Sequence, residues 1–153
     1  MLGSIISQFN LETPAGRKLH ETAVSCLGKD VGDSGYGDAV DCAVSVNNIV
    51  FKAFGDYAGG DISTYRMYHA IKNNKKFREV RESLPGDIIL SPSGHGNGRI
   101  SNGHVGIMGE NGQIMSNNSK NGLFEVTHTL SSWRAYYQIQ GGYPVTFWRR
   151  IIN

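Results

Sequence analysis

Cysteine is scarce in this chain. Two cysteines in 153 residues, which take different roles below, make no disulfide framework and leave the redox compartment open. Charge is equally sparse. Fifteen Lys and Arg against thirteen Asp and Glu give a formal +2, and no basic run is interleaved with aromatics, which argues against a nucleic-acid partner. No apolar run approaches the ~20 residues of a membrane span. The opening MLGSIISQFNLE has no basic residue before its short apolar run and no A-x-A-like site, so neither a membrane partner nor a Sec signal is expected. Proline is rare at four, whereas twenty glycines lie between periodic segments, a pattern of tight loops rather than of low complexity. No internal repeat is present. A hydrophobic content of 39% with 18% charged suits one globular domain, divided here into an arm at 1–12 and a single domain at 13–153.

The periodicity changes once along the chain. Thr13-Pro14 reads as N-cap and N1 of a helix that Gly28 stops. Its apolar line is Ala15, Leu19, Ala23, Cys26 and Leu27, so Cys26 is a core residue. After a Gly- and Asp-rich linker, apolar residues recur at Ala43, Val46, Ile49, Val50, Ala53 and Phe54, a second helix that Gly55 ends. A third is expected after Gly59-Gly60, capped by Asp61 or Ser63, with Ile62, Tyr65, Tyr68 and Ile71 on one side. From residue 77 the period becomes two. FREV, GDIIL, HVGIMG, QIMSNNS, LFEVTH and PVTFWRRII read as strands, Glu110-Asn111-Gly112 as a hairpin turn, and Ser131 or Ser132 as the cap of a short turn bearing Trp133. Phe147 and Trp148 fall on opposite strand faces, so one of them is expected to be exposed. Helices followed by antiparallel strands give an α+β fold.

The second helix carries the chemistry. Asp41 or Asp38 can cap it, which puts Cys42 in its first turn, where unpaired N–H groups and the dipole favour a thiolate and can hold an oxyanion. Cys42 also shares a face with Val46, Ile49 and Ala53, as a core cysteine does. Tyr36 can overhang the thiol or simply cover the helix end. A cysteine nucleophile needs a base, and the chain has five histidines. His20 and His69 belong to helices, His128 lies near a strand end, and His95 sits in the glycine-rich loop as a rim residue. His104 heads a strand, which holds a base rigidly. If the hairpin loop is Glu110-Asn111-Gly112, Asn118 stands opposite His104 with Ser116 on the same face; if it is Asn111-Gly112, Asn117 takes that place. Either way an amide can orient the imidazole. The His95 and His104 spacing fits no familiar ligand pattern, so neither a metal nor a cofactor is expected.

A helix beginning Asp41-Cys42, then Leu84-Pro85-Gly86-Asp87-Ile88, then His104-Val105-Gly106-Ile107 and a hairpin, resembles the NlpC-type and CHAP cysteine peptidases and amidases over about residues 13–150. The resemblance implies a papain-like fold, with the nucleophile helix packed on a C-terminal antiparallel sheet. It implies a monomer whose partner is peptidoglycan, cut at an amide bond of the stem peptide or between muramic acid and L-alanine. It makes Cys42 the nucleophile and His104 the base. NlpC-type members have a second histidine where Ser116 aligns, and CHAP members a Glu with an Asn two residues on. That places the third role on Asn118, with Ser116 or Asn117 behind it. Ala43-Val44 stands where the NlpC cysteine is followed by Ser-Gly. The order cysteine before histidine argues against the circularly permuted lecithin-retinol-acyltransferase-like proteins. A bare, signal-less domain is similar to bacteriophage endolysins, made in the cytoplasm and acting on the wall. The rivals are a cysteine peptidase or acyltransferase on another substrate, a non-catalytic wall-binding module, and a structural virion or toxin-like protein.

Overall fold

The computed structural model describes residues 12–32 and 38–153. The arm expected at 1–12 lies outside these residues apart from Glu12, as does Tyr36. Helix α1 (Pro14–Ser25) starts as its sequence requires: Thr13 Oγ1 accepts the Gly16 N–H at 2.9 Å and donates to the Arg150 carbonyl at 2.6 Å, tying the helix to the last strand. Cys26, just past its end, is buried in the core. Helix α2 (Asp38–Phe54) stops at Gly55, whose φ of +77° suits glycine and whose N–H reaches the Phe51 carbonyl at 2.7 Å. Helix α3 (Thr64–Lys72) is capped by Ser63. It buries Thr64, Met67 and Ile71, while Tyr65 is exposed. The apolar line expected through Tyr65 is thus rotated: its ring packs against His69 and His95 at the surface instead of entering the core.

Six strands form one sheet: β1 (Phe77–Val80), β2 (Ile88–Ser91), β3 (His104–Met108), β4 (Gln113–Asn117), β5 (Phe124–Thr129) and β6 (Thr146–Arg150). Their order is β1-β6-β2-β3-β4-β5, and every neighbouring pair is antiparallel. The chain is therefore α+β. The C-terminal strand enters the sheet between β1 and β2, and both faces there are covered. Trp148 joins Val46, Ile88 and Ile107 on the helical side, and Phe147 joins Ile89, Ile114 and Trp133 on the other. Phe147 and Trp148 are 3% and 4% exposed, so the expectation that one faces solvent fails, because the sheet has a core on each side.

The second core is roofed by α4 (Leu130–Trp133) and a π-helical segment at Arg134–Gln140. The cap of α4 is Thr129 rather than Ser131 or Ser132. Ser132 closes the box by accepting the Thr129 N–H at 3.0 Å while its own N–H donates to Thr129 Oγ1 at 3.1 Å. Two buried arginines fasten β6. Arg149 grips Asp87 through Nε and Nη2 at 2.9 and 2.7 Å, and Arg150 grips Asp56 through both terminal nitrogens at 2.7 and 2.9 Å. Among the described residues, no helix is long and apolar enough to cross a membrane.

Candidate active site

Helix α2 begins three residues before Asp41, so Asp41 does not cap it; the side chain of Asp38, the other capping candidate, lies outside the described residues. Asp41 lies inside the helix and is buried, and Cys42 follows at the close of the first turn. The thiol is 2% exposed, and burial pushes its pKa up to about 11. The backbone N–H groups of Val105, Ala43 and Cys42 itself act in the opposite direction, and the Asp41 charge adds to the rise. Val105 is the second residue of β3, so the sulfur lies against the beginning of that strand.

His104 is the first residue of β3, and two glycines set it. A Cβ on Gly103 would lie 1.9 Å from the Ser91 carbonyl, so only glycine lets the chain close this tightly onto the end of β2. A Cβ on Gly106 would lie 2.8 Å from Ile114 Cγ2 and 3.1 Å from Ser116 Cβ, so the bare position lets β4 approach on the histidine's face. Gly109 N–H bonds the Gln113 carbonyl at 2.7 Å and Ile107 pairs with Met115. This is the register of the three-residue loop, with Gly112 at a φ of +73°.

Continued along the strands, that register sets Asn118 opposite His104, yet the imidazole bonds elsewhere. His104 Nε2 lies 2.9 Å from Ser116 Oγ, and Ser116 Oγ in turn contacts Thr127 Oγ1 on β5. Asn118 is turned away. Its Nδ2 donates to Glu125 Oε2 at 2.9 Å, its Oδ1 accepts the Lys120 N–H at 3.0 Å, and its carbonyl accepts the Gly122 N–H at 2.7 Å. The residue expected to orient the base is instead the hub of the turn after β4, because that turn needs a side chain to satisfy its amides. Asn117 is buried at the end of β4 and lines the cleft.

The imidazole is held as a plate. Trp133 stacks on it with centroids 5.2 Å apart and planes at 26°, and Tyr137 at 5.8 Å and 19°. Trp133 is itself fixed by its indole N–H, which donates to Ser91 Oγ at 3.0 Å. Burial, and then the neighbouring His128, lower the His104 pKa to about 3. His128 is also lowered by burial, with Nδ1 3.0 Å from Ser132 Oγ. The Tyr137 phenol is raised by burial and by Cys42, so it stays protonated, and its hydroxyl bonds no described residue. At rest the site therefore holds a neutral thiol, a neutral imidazole and a neutral phenol.

These groups line one cleft of about 940 Å³. Cys42 reaches it from the helical side. His104 reaches it from the opposite face of β3, under α4 and the π-helical segment. Arg99, Ile100 and Asn102 form one wall, and Asn118, Lys120, Thr127, Tyr136 and Tyr137 another. The chain matches no protein-family model and no curated protein.

The other histidines lie apart from it. His69 and His95 form a surface cluster with Tyr65 and Tyr68, their rings 6.1 Å apart, and His20 sits on α1. No group of three or more His, Cys, Asp or Glu gathers to hold a metal among the described residues. Thr127 and Tyr137 have no counterpart in the sequence reading. Thr127 meets Ser116 only across the β4–β5 ladder, whose register shifts between Ile114 and Met115. Tyr137 reaches the site only because Arg134–Gln140 winds as a π-helix, a turn often found at functional sites.

Proposed function

We propose that this protein is a cysteine-dependent amide hydrolase of peptidoglycan with a papain-like arrangement, acting as endolysins do. The observation that carries the reading is the shared cleft. Of the two cysteines, the one that lines it is Cys42, and the histidine that heads β3 lines it too, with Nε2 2.9 Å from Ser116 Oγ. The motif resemblance and the α+β layering support the substrate class and the fold family.

The contacts of His104 support the following steps. With Nε2–H donating to Ser116 Oγ, and Ser116 able to donate onward to Thr127, His104 keeps Nδ1 as its acceptor. Nδ1 takes the thiol proton as Cys42 sulfur bonds to the carbonyl carbon, and the imidazolium passes that proton to the amine nitrogen as the C–N bond breaks. Water then attacks the thioester, gives a proton to Nδ1, and the S–C bond breaks with return of that proton to sulfur. Cys42 is the fifth residue of α2 and its N–H acts on its own sulfur, so a side chain of the cleft is assigned to the oxyanion. Among the donors that line the cleft, we assign that role to the protonated Tyr137 hydroxyl, because Tyr137 lies close enough to Cys42 to feel its charge.

The test is digestion of purified peptidoglycan by wild type, Cys42→Ala and His104→Ala, with mass spectrometry of the fragments. Loss of release in both variants is expected, and the masses name the bond. Release that survives Cys42→Ala would sink the mechanism. The deep burial of Cys42 favours a second reading, a non-catalytic wall-binding module; that reading requires sacculus binding without fragment release from any form.

A further inference from the structure

The cleft carries a charge that the bond-breaking steps do not use. Arg99 lies in the loop between β2 and β3, Lys120 in the turn between β4 and β5, and both line the cleft that holds Cys42 and His104. Neither side chain makes an ion pair or hydrogen bond with a described residue. Among the described residues, no aspartate or glutamate lines the cleft. On the Lys120 side, Glu125 is spent on the Asn118 and Asn121 amides at 2.9 and 3.0 Å.

The backbone beneath each cation is nonetheless built. Asn97 Oδ1 accepts the Arg99 N–H at 2.9 Å while Asn97 Nδ2 donates to the Gln140 carbonyl at 2.9 Å, and Tyr143 hydroxyl donates to the Ile100 carbonyl at 2.8 Å. On the other side Asn118 Oδ1 holds the Lys120 N–H. Two cations that pair with no described carboxylate, over walls that include Ile100, Val126 and Tyr137, focus a positive potential into the cleft. The thiol and the histidines at its base are neutral, so the negative charge felt there from the described residues is that of Asp41, behind Cys42 on α2. A guanidinium and an ammonium together match a carboxylate.

We propose that the cleft selects peptides bearing a free carboxylate beside the scissile amide, with Arg99 and Lys120 holding that carboxylate. This deepens the reading of the cleft as a peptide-hydrolysing site and rests on it for the amide, but the carboxylate preference is measurable without turnover.

The test is binding, followed by chemical shifts of the labelled protein. N-acetyl-alanyl-glutamate is compared with its fully amidated analogue, on wild type and on Arg99→Gln/Lys120→Gln. The acid is expected to bind wild type at least about tenfold more tightly than the amide, with shifts at residues 99–103 and 118–120. That gap should close in the double variant and shrink at about 0.5 M salt, where charges a Debye length apart are screened. Equal affinity for acid and amide, no binding of either at millimolar concentration, or a gap that persists in the double variant overturns the proposal. The outcome is independent of the hydrolase reading. A carboxylate preference retained by a protein whose peptidoglycan release survives Cys42→Ala sinks the mechanism alone, and equal affinities in a protein that loses release in Cys42→Ala sink this inference alone.

Discussion

The neutral resting dyad is open to a direct measurement. Papain-like reactivity is commonly drawn from a preformed thiolate–imidazolium pair, but here burial lifts the Cys42 thiol from 9.0 to about 11 and lowers His104 from 6.5 to about 3. The thiol change alone leaves about a hundredfold less thiolate at neutral pH than an ordinary cysteine has. The imidazole, neutral throughout the physiological range, has no positive charge with which to recover it. Alkylation by iodoacetamide, followed by peptide mass mapping to separate Cys42 from Cys26, should therefore be slow at pH 7. It should rise about tenfold per pH unit up to at least pH 9, with no plateau at low pH. His104→Ala should change the resting rate by less than about threefold, since a neutral imidazole adds no electrostatic stabilisation to a thiolate. A plateau between pH 5 and 8 that collapses in His104→Ala would refute the reasoning, and with it the concerted proton transfer assigned to Nδ1.

Three further outcomes follow from particular contacts. Between pH 6.5 and about 3 the unfolded His104 binds a proton that the folded one refuses, so folding stability falls as pH falls through that window; urea midpoints at pH 7 and 4.5 should reveal about 2–3 kcal/mol of loss that is absent in His104→Gln. Ser116→Ala removes the imidazole's partner and should lower kcat about 10- to 100-fold with KM little changed, whereas Asn118→Ala should cost about 1 kcal/mol of stability and spare kcat; the reverse ranking in steady-state kinetics would return the orienting role to Asn118. Tyr137→Phe keeps the ring on His104 but loses the hydroxyl, so kcat should fall about a hundredfold, while an unchanged kcat would leave Tyr137 as packing.

The elements of this protein are local events, and the sequence alone determined them. Thr13 and Ser63 start helices because their side chains accept first-turn amides, Gly55 stops one because it adopts positive φ without strain, and Glu110-Asn111-Gly112 turns the hairpin in one of the two registers the sequence allowed. The placing of Cys42 on a helix and of His104 at the head of a strand was legible for the same reason. What surrounds them was not. A strand's alternation says which residues share a face but not whether that face is covered, so the burial of both Phe147 and Trp148 had to wait for the position of β6 between β1 and β2. The register of the three-residue loop, extended along the strands, puts Asn118 across from His104, but the Asn118 side chain is taken by partners in the next turn and the imidazole bonds Ser116 and, through it, Thr127 on a third strand. Helix α2 starts earlier than Asp41, and burial rather than the helix end governs the thiol. Desolvation depends on every atom packed around a group, wherever it lies in the chain, and only the tertiary structure brings those atoms together.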